Sequence, residues 1–123
     1  LAQRTPVVLL DEPTSFLDLS HQVEMLDLVR RMPDPRTGTG RATVVAVLHE
    51  LNLAARAADR LVAMADGRVV AAGAPDQVLV PEVLAAVYGL DADVVADPLL
   101  GHPVVLPRGR HDRPGRHDRE DRR

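Results

Sequence analysis

Val7-Val8-Leu9-Leu10-Asp11-Glu12 is a run of four apolar residues followed at once by two carboxylates. The run lacks the apolar–polar alternation of a strand with one wet face. It reads as a strand buried on both faces, as in a parallel sheet. Pro13 ends it, and a turn runs through Thr14, Ser15, Phe16, Leu17 and Asp18. Beyond the turn, Leu19, Val23, Leu26 and Val29 recur at helical spacing, which predicts a helix over Leu19–Arg31 stopped by Met32-Pro33. A polar Pro/Gly loop occupies 33–42, with Thr37-Gly38-Thr39-Gly40 as a plain turn. Thr43–Leu48 is then a second buried strand ending at His49, and Leu51–Ala58 a short Ala-rich helix. Strand, helix, strand, helix in this order points to the α/β class with parallel core strands.

Working outward, Leu61–Ala65 and Arg68–Ala72 flank Asp66-Gly67, a strong hairpin signal. Residues 76–88 carry two short helical turns, the second starting at Pro81. Val94–Ala96 and Val104–Leu106 can pair as a small hairpin around Asp97-Pro98 and Gly101. From Arg108 onward no apolar residue remains, and GRHDRP (109–114) is nearly repeated as GRHDRE (115–120). Such a segment cannot bury enough surface to offset its ordering entropy. The chain therefore divides into a folded part, 1–107, and a tail expected to be disordered, 108–123.

Composition narrows the function classes. There is no Cys, which removes disulfides and thiolate metal sites. No apolar run approaches the ~20 residues that span a bilayer. All fifteen basic residues are Arg, and the chain has no Lys. Residues 1–107 hold eight Arg against fourteen acidic residues, a net of −6. A body of that charge is a poor binder of nucleic acid. The chain opens at Leu1 directly into strand-like sequence, with nothing resembling a signal peptide, and reads as part of something longer.

The chemistry lies at the two strand ends. In a parallel sheet the C-terminal ends of the strands form the edge where ligands bind. Two adjacent carboxylates there are costly unless a cation or a reaction uses them. In phosphoryl transfer one carboxylate helps to hold Mg²⁺ and another polarises the attacking water; Asp11 suits the first role and Glu12 the second. An acidic loop after a core strand is the plain alternative. His49, at the end of the second strand, is placed to reach a nucleotide γ-phosphate at the same edge. Its plain alternative is a surface His beside the helix that starts at Leu51. His21 reads as an exposed helical residue, His102 as a solvated turn residue, and His111 and His117 as solvated tail residues.

These motifs together resemble the ATPase subunits of ABC transporters. LLDEPTSFLD (9–18) looks like a Walker B motif followed by the D-loop, VLHELNLA (47–54) like the H-loop, and ADRLVAMADGRVVAAGAP (58–75) like the segment that follows it. The resemblance covers roughly residues 1–107. It implies a partial P-loop NTPase fold, ATP and Mg²⁺ as cofactors, Asp11 supporting the metal, Glu12 as the catalytic carboxylate and His49 as the switch histidine. Ser15 to Asp18 would form the D-loop, with Ser15 and Asp18 near the nucleotide and facing a second ATPase subunit in a sandwich dimer. Phe16-Leu17-Asp18-Leu19 with His21-Gln22, and His49-Glu50-Leu51-Asn52-Leu53-Ala54, are similar to the importers of ferric siderophores, haem and cobalamin, which usually carry Asp where this chain has Glu50.

The phosphate-binding half of such a site is not in this sequence. A P-loop needs Gly-x-x-x-x-Gly-Lys followed by Ser or Thr, and a chain without Lys cannot hold one. The glutamine loop and the LSGGQ signature are absent too. The resemblance thus implies the C-terminal part of a cytoplasmic ATPase at the inner face of the cell membrane, working with integral permease subunits and not with nucleic acid. A ferric siderophore is the expected cargo, with haem or cobalamin as alternatives. A chromosome-maintenance or DNA-repair ATPase would share the Walker B motif but not the segment 58–75. A third reading is a non-catalytic binding or regulatory piece.

Overall fold

The computed structural model describes residues 7–110. They fall into two compact units, one up to Ala57 and one from Ala58.

The first unit is strand, helix, strand, helix: β1 (Val7–Asp11), α1 (Leu19–Arg30), β2 (Thr43–Val47) and α2 (Leu51–Ala57). β1 and β2 pair in parallel, with Val7 opposite Thr43, Leu9 opposite Val45 and Asp11 opposite Val47. A parallel pair needs a crossover, and α1 provides it. Asp18 caps α1: its Oδ1 accepts from the backbone N–H of His21 at 3.0 Å and the hydroxyl of Ser20 at 2.9 Å. Glu50 does the same for α2, its Oε2 accepting from the backbone N–H of Leu53 at 2.6 Å. α1 and α2 are tied together at their ends, where the Arg30 guanidinium donates to the Ala57 carbonyl and Arg56 lies 3.9 Å from Asp27. Among the described residues of this unit, Leu26, Leu53 and Ala55 are the buried apolar side chains.

The expectation that β1 is buried on both faces is corrected. Val8, Leu10, Val44 and Ala46 are half-buried, but Leu9, Asp11, Thr43, Val45 and Val47 are exposed. Leu9 retains 75% of its accessible surface. A single βαβ crossover covers one face of a two-stranded sheet, so an uninterrupted apolar sequence leaves its other face in water.

The second unit holds two antiparallel hairpins and two short helices: β3 (Leu61–Ala65), β4 (Arg68–Gly73), α3 (Pro75–Val78), α4 (Pro81–Tyr88), β5 (Leu90–Ala96) and β6 (Pro103–Arg110). The β3–β4 turn is Asp66-Gly67, with φ of 52° and 72° at the two positions. Positive φ at both central residues matches the strand twist and accounts for the Asp-Gly pair. Pro81 opens α4 at a position where no N–H is needed, and Gly89 closes it at φ 60°, donating to the Ala85 carbonyl at 3.0 Å. Val78, Leu79, Leu84, Ala92 and Val105 form the core.

Both strands of the last hairpin are longer than the apolar triplets suggest. β6 runs through Arg108, Gly109 and Arg110, three residues into the stretch expected to be a disordered tail. Leu90 and Asp91 pair with Arg110 and Gly109, and the Arg108 Nε donates to Asp93 Oδ2 at 2.7 Å. Backbone pairing and one cross-strand ion pair extend the strand without apolar burial. The remainder of that tail, with His111 and His117, lies outside the described residues. His102 is not solvated as expected: its side chain is 16% exposed and lies 4.0 Å from Asp97 in the β5–β6 turn.

Candidate active site

Residues at the C-terminal ends of β1 and β2 meet. The ladder continues one step past β1, where the Glu12 backbone N–H donates to the Val47 carbonyl at 3.0 Å. Glu12 holds a positive φ of 48°, unusual for a residue with a side chain. That backbone turn directs the chain away from the strand line. The carboxylate then meets the Nε2 of His49, thirty-seven positions on in sequence. Its other oxygen accepts from the Ser15 hydroxyl at 3.1 Å, and the Ser15 backbone N–H donates to the Glu12 carbonyl at 3.1 Å. The hydrogen bond from His49, then the one from Ser15, hold the Glu12 carboxyl below the usual carboxylate range.

Asp11 is exposed at the end of β1, on the same face as Leu9 and opposite Val47. Among the described residues no three His, Asp or Glu side chains gather as a metal-binding set. A hard cation takes six or more oxygens, so the residues here fit Mg²⁺ only in part: Asp11 would supply one carboxylate and the remainder would come from other groups. For ATP the fit is likewise partial. The carboxylate and imidazole are in place, but the chain has no Lys to reach phosphate oxygens.

The turn after Glu12 is held by hydrogen bonds. Thr14 is buried, and its carbonyl accepts from the Leu17 N–H and from the Gln22 side chain, both at 3.3 Å. Phe16, at φ 66°, is fully exposed. Asp18 sits at the helix end instead of beside Glu12. It accepts from the His21 N–H, from Ser20 and from the His21 ring at 2.7 Å, and the backbone N–H above all lowers its pKa. Of the expected site residues, Glu12, His49 and Ser15 are therefore brought into one hydrogen-bonded group. Asp11 stands next to it on the strand, and Asp18 serves as a helix cap. Sequence reasoning missed Gln22, which ties α1 to the turn, and Glu50 as the cap of α2. An acidic residue just before an apolar helical stretch was the available signal for Glu50.

No family model matches the chain. It is 43% identical over 110 residues to the ferric enterobactin transport ATP-binding protein of Escherichia coli, covering 89% of this chain and 39% of that protein. It is 48% identical over 108 residues to the hemin import ATP-binding protein of Rhodococcus jostii, covering 88% of this chain and 35% of that protein. A solved inward-facing structure of a metal-chelate type ABC transporter superposes with a TM-score of 0.67 at 24% identity, over 85% of this chain and 40% of that one. That likeness bears on the fold alone. The chain spans about two fifths of the length of the first of these relatives. Over the matched length the chain is similar to ABC transporter ATP-binding proteins, among them proteins named for siderophore, hemin and cobalamin import.

Proposed function

We propose that this chain carries the hydrolytic edge of an ATPase subunit that energises uptake of a metal chelate, with a ferric siderophore as cargo. The supporting observation is the convergence of Glu12 and His49 at the ends of neighbouring parallel strands. In this reading Glu12 orients and polarises the attacking water as an ionised carboxylate. Ser15 fixes the carboxylate from the other side. His49 holds Glu12 before nucleotide arrives and turns to the γ-phosphate when it does. Asp11 is the residue that would help hold Mg²⁺, whose chemistry is to neutralise phosphate charge. The phosphate cradle, a second ATPase subunit, integral permease subunits and a place on the inner face of the cell membrane belong to the complete assembly. The cargo is carried by relatedness: ferric enterobactin, achromobactin and petrobactin transport proteins all match at 42–47% identity.

The test is a chimera in which the matched 110 residues of this chain replace their counterparts in the Escherichia coli relative. It should hydrolyse ATP and restore radio-iron uptake from supplied enterobactin to a strain lacking that relative. Glu12→Gln should retain ATP binding and lower turnover by about 10²-fold or more. Near-normal turnover in Glu12→Gln would remove Glu12 from the role. Hydrolysis without iron uptake would remove the cargo assignment alone. The absence of Lys favours a second reading for the 123-residue chain by itself, a non-catalytic piece that acts only when joined to other polypeptide.

A further inference from the structure

The Glu12 carboxylate is restrained from two sides. His49 reaches one oxygen from the end of β2, and the Ser15 hydroxyl donates to the other at 3.1 Å from the turn. Once His49 turns to a phosphate, Ser15 is the restraint that remains, so whatever fixes Ser15 fixes the carboxylate at the moment water is polarised. Ser15 itself is exposed. Its turn also carries two residues with side chains in the left-handed region, Glu12 at φ 48° and Phe16 at φ 66°. Such conformations are costly and persist only where the surroundings hold them.

The holding point is the peptide between Thr14 and Ser15. A peptide unit is planar, so fixing its carbonyl also fixes the N–H on its other side and the chain that follows. On the N–H side, Ser15 donates to the Glu12 carbonyl at 3.1 Å. On the carbonyl side, Thr14 accepts from the Leu17 N–H and from the Gln22 side-chain amide, both at 3.3 Å. Both bonds are long, and neither is strong by itself. Leu17 belongs to the turn and moves with it. Gln22 does not. It lies in the first turn of α1, where its own N–H donates to the Asp18 carbonyl at 2.9 Å and the Asp18 side chain caps the helix. Thr14 is also buried, so water is a poor substitute for the amide.

We propose that Gln22 is a positioning residue for ATP hydrolysis: through the Thr14–Ser15 peptide it aims the Ser15 hydroxyl, and hence the Glu12 carboxylate, from the fixed start of α1. This rests on the role given to Glu12 above. Gln22 contributes a neutral donor of the right reach at a half-buried position, and acts through Ser15.

Gln22→Met keeps the length of the side chain and its preference for helix while removing the donor. In the 123-residue chain, the Glu12 carboxyl titration is followed by ¹³C NMR in the parent, in Gln22→Met, in Ser15→Ala and in the double variant. The Ser15 hydroxyl helps to lower the Glu12 pKa, so Ser15→Ala should move the midpoint upward. Gln22→Met should move it the same way. The double variant should go no further than Ser15→Ala, because both changes act through one hydroxyl. An unmoved midpoint in Gln22→Met, or effects that simply add, would overturn the proposal. In the chimera described above, Gln22→Met should lower kcat about tenfold with KM for ATP within about twofold, since orientation and not binding is lost. Gln22→Glu, which keeps size and polarity but loses the donor at neutral pH, should do the same. Parental kcat in either variant, or a loss carried by KM alone, would also overturn it. Near-normal turnover in Glu12→Gln, with a moved titration in Gln22→Met, would defeat the catalytic role of Glu12 and leave the link from Gln22 through Ser15 standing.

Discussion

At the residue scale, Glu12 concentrates the chemistry. Its backbone occupies a left-handed conformation, its amide extends the parallel ladder to Val47, and its two oxygens are engaged by His49 and Ser15. The consequence for pH has a definite sign. A carboxyl held below its ordinary value, about 4.3, contributes its contact fully above that value. The contribution fades as pH falls through the lowered one. Removing His49 removes the largest cause of that lowering. His49→Ala should therefore move the Glu12 carboxyl titration upward, followed by ¹³C NMR of the side-chain carboxyl. An unmoved midpoint would show that the pair does not form in solution. Asp18 should respond in the same direction to loss of its own donors, since the His21 N–H and the Ser20 hydroxyl lower it.

At the scale of elements, caps and tight turns decide where each piece stops. Asp18 anchors the start of α1 and Gly89 the end of α4. Gly73 closes β4 at φ 153°, and a Cβ built there would meet the Gln77 Oε1 at 2.5 Å. That oxygen accepts from the Ala74 N–H at 3.0 Å and so opens α3. Gly73→Ala should cost about 1 kcal/mol or more, because it strains the backbone and displaces the cap together. The measurement is the denaturation midpoint of the variant against the parent chain. Leu84, on α4, has no accessible surface at all. Leu84→Ala should destabilise the second unit by about 2–5 kcal/mol, read by hydrogen exchange at the β5 and β6 amides. A loss below 1 kcal/mol would mean that α4 is not packed as described.

For the whole molecule, the chain by itself should not hydrolyse ATP. It brings the carboxylate proposed to polarise water and an imidazole but no Lys, and bare carboxylates repel a polyphosphate. Phosphate release from Mg-ATP above that of Glu12→Gln would contradict this. Much of the fold was legible beforehand. The apolar runs before Asp11 and His49, the helical spacing of Leu19, Val23, Leu26 and Val29, and the Asp66-Gly67 turn each depend on local preference, and each element formed where expected. The extent of β6 was not legible, because Arg108 to Arg110 are held by pairing with β5 and carry no apolar pattern of their own. Nor was the wet face of β1, since an apolar sequence records the surroundings a strand requires, not whether its own chain supplies them. By itself the sequence determined the strand and helix order and set carboxylates and a histidine at two strand ends, because hydrophobic period and turn chemistry act over a few residues. Only the tertiary structure decided that Glu12 and His49 touch and that Asp18 caps a helix, because parallel register brings together residues that lie far apart along the chain.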